Sequence, residues 1–170
     1  MTRVLIVHMR YAPDPTGTAP LVTQLAEALV QEAILVTVIT SLPHYGRTDI
    51  HPEYREHQGY FHRNVEEGVK LIRTRVFVPR HPGLFQRALN YLSYNINSIL
   101  AGFFVAKPDL IIAMNPPITT VFSAWLISLF QRSPVILVIQ DVWPECLIRV
   151  GQLTNPVLIK CSNWLEKIQY

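Results

Sequence analysis

The sequence predicts an α/β fold, a Rossmann-like doubly wound parallel sheet. Short Val- and Ile-rich runs that end in polar residues or proline are typical of strands buried in a parallel sheet, and they occupy residues 4–8, 35–40, 110–114 and 135–139. Segments with helical spacing of apolar residues separate most of these runs, as the crossovers between parallel strands require. The 170 residues, 49% of them hydrophobic, are enough for one domain with a sizeable core.

The first predicted helix starts near Pro20, because proline suits a first helical turn. Its apolar residues recur at the spacing of one helix face, at Val22, Leu25, Ala26, Leu29 and Val30. After residues 35–40, the next strand candidate is residues 69–78, whose partial alternation predicts a strand nearer the edge of the sheet.

Three more helices are predicted in the second half of the chain. Residues 84–106 form a long candidate, and we expect ordinary core packing for most of the apolar residues on its one side: Leu89, Leu92, Ile96, Ile99, Leu100 and Phe103. Residues 118–130 form an apolar helix, and a last helix starts at Pro156.

Residues 41–67 are the least regular part of the sequence and hold four histidines. His57 and His62 are five residues apart, on no common helix face, and neither Cys nor a carboxylate pair completes a set of metal ligands. We therefore expect no metal site and no cofactor, and we expect solvated loop positions for His44, His51, His57 and His62.

The predicted topology also locates a functional site. In open α/β sheets, ligands bind in the crevice outside the carboxyl ends of the strands, where the strand order reverses. If strand 4–8 is central, the loops that frame this crevice are residues 11–18 and 115–119. The candidate substrate contacts in these loops are Tyr11, Gly17, Thr18, Asn115 and Pro116.

Two carboxylates follow strand 135–139 at the same predicted crevice, beside Trp143. An Asp after a strand is often a helix N-cap, but Pro144 favours the first helical position and makes Trp143 the N-cap. Glu145 would lie in the first turn, where the helix dipole favours a carboxylate whatever its function. Asp141 and Glu145 are therefore candidate catalytic residues and Trp143 is a candidate substrate contact, while a structural role for either carboxylate stays open.

Several standard sites are missing from the sequence. It contains no G-x-G-x-x-G after the first strand, no P-loop, no G-x-S-x-G elbow and no D-x-D pair. The Gly17-Thr18 pair is the candidate phosphate cradle, because N–H groups at the start of a helix can hold an anion. A simple turn explains this pair as well.

Net charge and cysteine content indicate which classes of ligand and which cellular compartment to expect for this protein. The net charge of +3 is compatible with anionic ligands or membrane surfaces, but no Lys/Arg cluster with interleaved aromatic residues indicates nucleic acid. Two cysteines are too few for a disulfide framework. With no signal peptide and no run of about 18 apolar residues, we expect a cytoplasmic protein that could still touch a membrane surface.

Four segments together resemble the N-terminal half of GT-B glycosyltransferases of family 4, and most closely the enzymes of polysaccharide and O-antigen assembly, including the colanic-acid type. These segments are RVLIVHMRYAPDPTGTAPLVTQLAEAL, VTVITSLPHYG, PDLIIAMNPP and QDVWPE, in the family's order. The resemblance implies an acceptor-binding domain over residues 1–170. It also implies retaining, hexosyl-type transfer from a nucleotide-sugar donor to a saccharide or polyprenyl-linked acceptor, without an obligatory metal.

The sequence departs from that family in two respects. Gly17-Thr18 stands where the family often has Gly-Gly near the phosphates of the donor. The family's C-terminal domain, with the donor site and an E-x7-E-like motif, does not follow within the 170 residues. We therefore expect a fragment, a truncated gene or one subunit of a split enzyme, inactive by itself.

An alternative is a non-catalytic Rossmann-like module that binds a nucleotide or a regulator. It depends on analogy at the level of the fold alone. The missing G-x-G-x-x-G counts against it.

Overall fold

The computed structural model describes residues 1–15, 17–56, 59–80, 83–117, 119–140, 145–149, 151 and 156–169. Its strands are β1 Arg3–Val7, β2 Leu35–Ser41, β3 Phe61–Glu66, β4 Val69–Thr74, β5 Leu110–Asn115 and β6 Val135–Ile139. Its helices are α1 Thr18–Gln31, α2 Leu84–Gly102, α3 Thr119–Gln131, α4 Glu145–Arg149 and α5 Pro156–Gln169, and Pro52–Tyr54 forms a 3₁₀ turn. The strands make one mostly parallel sheet in the order β3-β4-β2-β1-β5-β6.

Helices cover both faces of this sheet. Helix α1 buries Val22 and Ala26 on one face, while α3 buries Ala124 and Ile127 on the other, together with the end of α2. Alternate residues of β1 supply the two cores, because successive side chains of a strand point to opposite faces. The predicted Rossmann-like, doubly wound α/β fold is confirmed.

Strand β1 is central, and the strand order reverses beside it. It pairs in parallel with β2 on one side and with β5 on the other. The crevice predicted from the sequence therefore lies at the carboxyl ends of β1 and β5, where such sheets bind their ligands.

Strands β3 and β4 form an antiparallel hairpin that the sequence interpretation missed. Residues 69–78 were expected near the edge, but β4 ends at Thr74 and lies inside the sheet, between β2 and β3. The two residues of the turn, Glu67 and Gly68, have φ angles of 47° and 80°. Two positive φ angles are typical of a tight hairpin, but glutamate is an unusual residue for the first of them, so the sequence carried little turn signal.

Strand β6 is less buried than its sequence predicts. In the described sheet it lies at an edge and pairs with β5. Ile136 is 50% exposed and Ile139 is 40% exposed. The expectation of a fully buried strand at residues 135–139 is wrong, because an apolar run shows that a strand can be buried but not that both faces are covered.

Helix α2 is rotated relative to its predicted orientation. The side chains that it buries are Asn90, Tyr94, Ser98 and Ala101, whereas the large side chains exposed to solvent include Leu92, Ile96, Leu100 and Phe103. The prediction that this apolar stripe packs in the core is wrong. The polar side of the helix can be buried because its groups are bonded; the Tyr94 hydroxyl, for instance, donates to the Ile39 carbonyl at 3.0 Å.

Within the described ranges, no helix combines the length and the apolar character that crossing a membrane requires.

Candidate active site

His8, the residue after β1, joins the two loops that frame the crevice. Its side chain is fully buried, and this burial lowers the pKa of the imidazole. Both ring nitrogens face backbone carbonyl oxygens: Nδ1 lies 2.8 Å from that of Arg10, and Nε2 lies 2.9 Å from that of Pro116. The loop after β1 is thus fixed to the loop after β5.

Arg10 follows at the carboxyl end of β1, and its Nη1 atom is held by two side chains. Nη1 lies 3.4 Å from Asp14 Oδ2 and 3.1 Å from His44 Nε2. The ring of Tyr45 lies over the guanidinium, 5.1 Å from Arg10 Cζ to the ring centroid. The side chain of Arg10 remains 13% exposed.

His44 is buried, so the expectation of a solvated loop histidine is wrong for this residue. Its Nδ1 donates to the Leu42 carbonyl at 2.7 Å, and its Nε2 accepts from Arg10. An arginine can only donate, so the imidazole must be neutral at Nε2. Burial, and then the charge of Arg10, lower the pKa of His44 to about 4.

Asp14 and Asn90 complete this group of buried polar side chains. Asp14 Oδ1 accepts the Tyr45 N–H at 3.1 Å. Asn90, on α2, donates to His44 Nε2 at 3.0 Å and to the Phe77 carbonyl. We call Arg10, Asp14, His44 and Asn90 the Arg10–His44 cluster. It joins the loop after β1, the loop after β2 and helix α2 at one end of the sheet.

A hollow of about 700 Å³ adjoins this cluster through Phe77. Both polar and apolar side chains line it, namely Thr48, Asp49, Ile50, Val76, Phe77, Val78, Arg80 and Gln86. Its volume is in the range of small-molecule sites.

Tyr11, a predicted substrate contact, is packed in the core and is 2% exposed. Burial raises the pKa of its hydroxyl to about 12. Its ring centroid lies 5.7 Å from Cζ of Arg73, a fully buried residue that donates to the Ala12 carbonyl at 2.8 Å and to Glu66 Oε1 at 2.9 Å. These contacts fix the loop after β1, and a contact of Tyr11 with substrate stays a prediction.

Gly17 and Thr18 lie at the start of α1, as the predicted phosphate cradle requires. Gly17 is exposed, and a Cβ atom added to it would meet no other atom within 4 Å. Space is therefore open beside Gly17 itself, and a contact with phosphate stays a prediction.

Asn115, the last residue of β5, is buried, and its Oδ1 has no hydrogen-bond partner among the described residues. Buried polar atoms without a partner are uncommon, and a contact of Asn115 with substrate stays a prediction. The Asn115 backbone carbonyl accepts the Gln140 N–H at 3.1 Å. This hydrogen bond holds Gln140 beside the end of β5.

Asp141 and Trp143 lie outside the described residues. Glu145 is the first residue of α4, and its carboxylate is 62% exposed, 4.0 Å from Arg149 one turn later. Its catalytic role stays a prediction. In the part of the chain that the structure describes, no three His, Cys, Asp or Glu side chains are grouped closely enough to hold a metal ion.

The sequence interpretation did not select any member of the Arg10–His44 cluster as a site residue. Two signals were present, since Arg10 and Asp14 are four residues apart in a proline-rich loop and His44 lies between Pro43 and Tyr45. Arg10 and His44 are 34 residues apart in the sequence, so only the tertiary structure brings these two side chains together.

This sheet, with its polar crevice beside the central strand, is that of a glycosyltransferase domain of the family 4 type. The chain belongs to the family described as glycosyl transferase 4-like domain, whose model matches residues 16–167. It is similar to the putative colanic acid biosynthesis glycosyl transferase WcaI of Escherichia coli (strain K12), with 24% identity over 151 residues, which cover 88% of this chain and 36% of that protein. The chain thus spans about a third of the length of this relative.

Proposed function

We propose that the chain is the N-terminal, acceptor-binding half of a retaining GT-B glycosyltransferase. This enzyme transfers a hexosyl group from a nucleotide-sugar donor to a lipid-linked saccharide in polysaccharide biosynthesis, at the cytoplasmic side of a membrane. The observation that carries the proposal is the polar crevice at the carboxyl ends of β1, β2 and β5 in a chain of this family. The similarity to a protein described as a colanic acid biosynthesis glycosyl transferase supports the reaction and the pathway.

The acceptor saccharide occupies the 700 Å³ hollow next to the Arg10–His44 cluster. The polar side chains that line the hollow are Asp49, which is ion-paired with Arg55, Gln86, whose Oε1 accepts the Arg80 N–H, and Arg80 itself; the apolar side chains of the 76–78 segment complete the lining. Saccharides present hydroxyl groups that need both donors and acceptors, and this combination supplies both.

Asp141 orients the attacking hydroxyl of the acceptor by a hydrogen bond. In a retaining front-face reaction the departing phosphate acts as the base, so Asp141 positions the hydroxyl rather than deprotonating it. The Gln140–Asn115 hydrogen bond supports this role, because it brings the chain to the crevice just before Asp141. In the full-length enzyme, Asp141→Asn should lower kcat by roughly 10²-fold, in the range of general acid–base effects. Turnover within about threefold of wild type would contradict the role.

The Gly17-Thr18 pair contacts the phosphates of the donor. Gly17→Val is a sharp test, because a Cβ added there meets no atom within 4 Å beyond the neighbouring residues, so the added side chain can enter the space that a phosphate would use without disturbing the fold. We expect a raised donor KM with an unchanged melting temperature. A normal donor KM in the folded variant would contradict the assignment.

The donor site belongs to a C-terminal domain or a partner subunit. Transfer needs both substrates in near-attack geometry, and such positioning supplies about 7–11 kcal/mol of the barrier. The test is a transfer assay with a panel of nucleotide sugars and lipid acceptors, using the 170-residue chain with and without a recombinant C-terminal half. Transfer by the chain alone would contradict the proposal, and tight binding of NAD or a mononucleotide without transfer in either condition would favour the non-catalytic module.

The exposed stripe of α2 brings the enzyme to its membrane-borne acceptor. Phe103 stacks on Phe130 of α3 with ring centroids 4.1 Å apart, so the apolar surface continues from one helix to the next. Exposed Trp125 and Leu129 extend it along α3. Lys107 and Arg132, both exposed, follow the ends of these helices and would lie near anionic headgroups.

Liposome flotation tests this surface. The double variant Leu100→Ser, Phe103→Ser should lose most binding to vesicles that contain phosphatidylglycerol, without loss of stability, since both side chains are about half exposed. Leu21→Ser is the matched control, because Leu21 is 50% exposed but lies on α1, which packs on the opposite face of the sheet. Absence of wild-type binding at low salt would remove membrane association from the proposal.

A further inference from the structure

Arg10 lies in the loop after β1 and Arg73 bonds to that loop, but the two guanidinium groups differ in how many of their N–H donors have partners. Arg73 is fully buried; its Nη2 is paired with Glu66, and the rings of Tyr11 and Tyr54 lie within 6 Å of its Cζ. Arg10 has its Nη1 held by the Arg10–His44 cluster, while its Nε and Nη2 bond to none of the described residues. The Nε and Nη1 of Arg73 are sealed from solvent, and the free nitrogens of Arg10 are not.

The cluster holds the Arg10 side chain in one orientation and leaves some of its N–H donors without a partner among the described residues. Asp14 divides its carboxylate between the Arg10 guanidinium and the Tyr45 N–H. His44 is a neutral acceptor and adds no negative charge, and Asn90 supports it from α2. A guanidinium held at one nitrogen keeps two parallel N–H groups free, which is the geometry that binds a phosphate with two hydrogen bonds.

The position of Arg10 supplies the ligand class. It lies at the carboxyl end of the central strand, at the crevice where the proposed substrates meet. Every substrate of the proposed reaction carries phosphate, either the diphosphate of a nucleotide sugar or the phosphate of a lipid-linked acceptor. The Gly17 site lies further along the same loop and is a separate contact.

We infer that Arg10 binds a phosphate group of the substrate through Nε and Nη2, and that Asp14 and His44 are positioning residues for its guanidinium. The inference rests on the proposed function for the identity of the substrate. The shared chemistry is a phosphate or diphosphate, which the donor or the lipid-linked acceptor can supply.

Calorimetry on the 170-residue chain at neutral pH and low salt tests the site with three probes: inorganic pyrophosphate, UDP and farnesyl diphosphate. We expect Arg10→Gln to raise the Kd at least tenfold for one of the two organic diphosphates. An effect on UDP assigns the site to the donor, and an effect on farnesyl diphosphate assigns it to the acceptor. Arg10→Lys, which keeps the charge but not the two parallel N–H groups, should fall between wild type and Arg10→Gln and serves if the Gln variant does not fold.

Arg47→Gln is the matched control, because Arg47 is an exposed arginine of the loop after β2 whose side chain has no bonded partner among the described residues. Its Kd should equal that of wild type. Equal weakening by Arg47→Gln, unchanged binding by Arg10→Gln, or no wild-type binding of any probe would overturn the inference.

A double-mutant cycle tests the positioning role of His44. His44→Gln should weaken binding in the wild-type background and have no further effect in the Arg10→Gln background, whereas loss of structure would weaken binding in both. If calorimetry shows binding that depends on Arg10 but the two-domain assay shows no transfer, the proposed function is overturned and the phosphate site at Arg10 is retained. Transfer with unchanged donor and acceptor KM in Arg10→Gln overturns the site alone.

Discussion

Helices α1 and α2 pack on opposite faces of one sheet, and their sequences show the same apolar periodicity. Helix α1 buries its stripe, with Val22 and Ala26 fully covered. Helix α2 exposes its stripe and buries Asn90, Tyr94 and Ser98 instead. Periodicity therefore identifies an apolar face but not the surface that this face packs against. The apolar face of α1 packs against the sheet, and the apolar face of α2 is proposed to contact a membrane.

The largest difference between the two helices is expected when an aspartate replaces an apolar residue in each stripe and the free energy of unfolding is measured. Val22→Asp puts an unpaired carboxylate into the core and should lower the free energy of unfolding by about 3–5 kcal/mol. Ile96→Asp, at a position that is 50% exposed, should change it by about 0.5 kcal/mol or less. Urea unfolding measures both variants, and a large loss for Ile96→Asp would mean that α2 packs its apolar stripe after all.

Acid should weaken the polar side of α2 in particular. The pKa of His44 is lowered to about 4 in the folded protein, from about 6.5 in the unfolded chain, so only the unfolded chain gains a proton as the pH falls between these values. The free energy of unfolding should therefore decrease by about 3 kcal/mol from pH 6.5 to pH 4 on account of His44. The groups that face His44 are Arg10, Asp14 and Asn90, and Arg10 opposes its protonation.

The pH dependence is measured by urea unfolding of wild type and His44→Gln across this range. Burial also lowers the pKa of His8, which adds a decrease of the same sign to both proteins. The difference between the two curves isolates His44. Parallel curves would show that His44 is accessible to protons in the folded state.

The smallest effect is expected from the hydroxyl that α2 buries. Tyr94→Phe removes the bond to the Ile39 carbonyl, but that carbonyl keeps the His8 N–H as a donor at 3.2 Å. The loss should therefore be about 1 kcal/mol, as for an ordinary hydrogen bond, and not the larger cost of an orphaned group. Tyr91→Phe on the same helix, where no hydroxyl bond occurs among the described residues, should cost nothing measurable.

Much of the fold could be predicted because its signals are local. The apolar runs at β1, β2 and β5, the spacing in α1 and the alternation of strands and helices are enough to define the parallel sheet and the crevice beside its central strand. The hairpin β3–β4 was missed because its turn begins with Glu67, which carries little of the usual turn signal.

The site was predicted only in outline, for a related reason. The sequence shows that polar loops follow β1 and β5, so Gly17 and Asn115 could be selected from their position at the end of a strand or the start of a helix. The tertiary structure is needed to bring Arg10 to His44 across 34 residues and His44 to Asn90 across 46. It also decided that β6 is an edge and that the apolar stripe of α2 faces outward. These contacts and exposures depend on which parts of the chain, distant in sequence, pack against a residue, and a local sequence pattern contains no information about that packing.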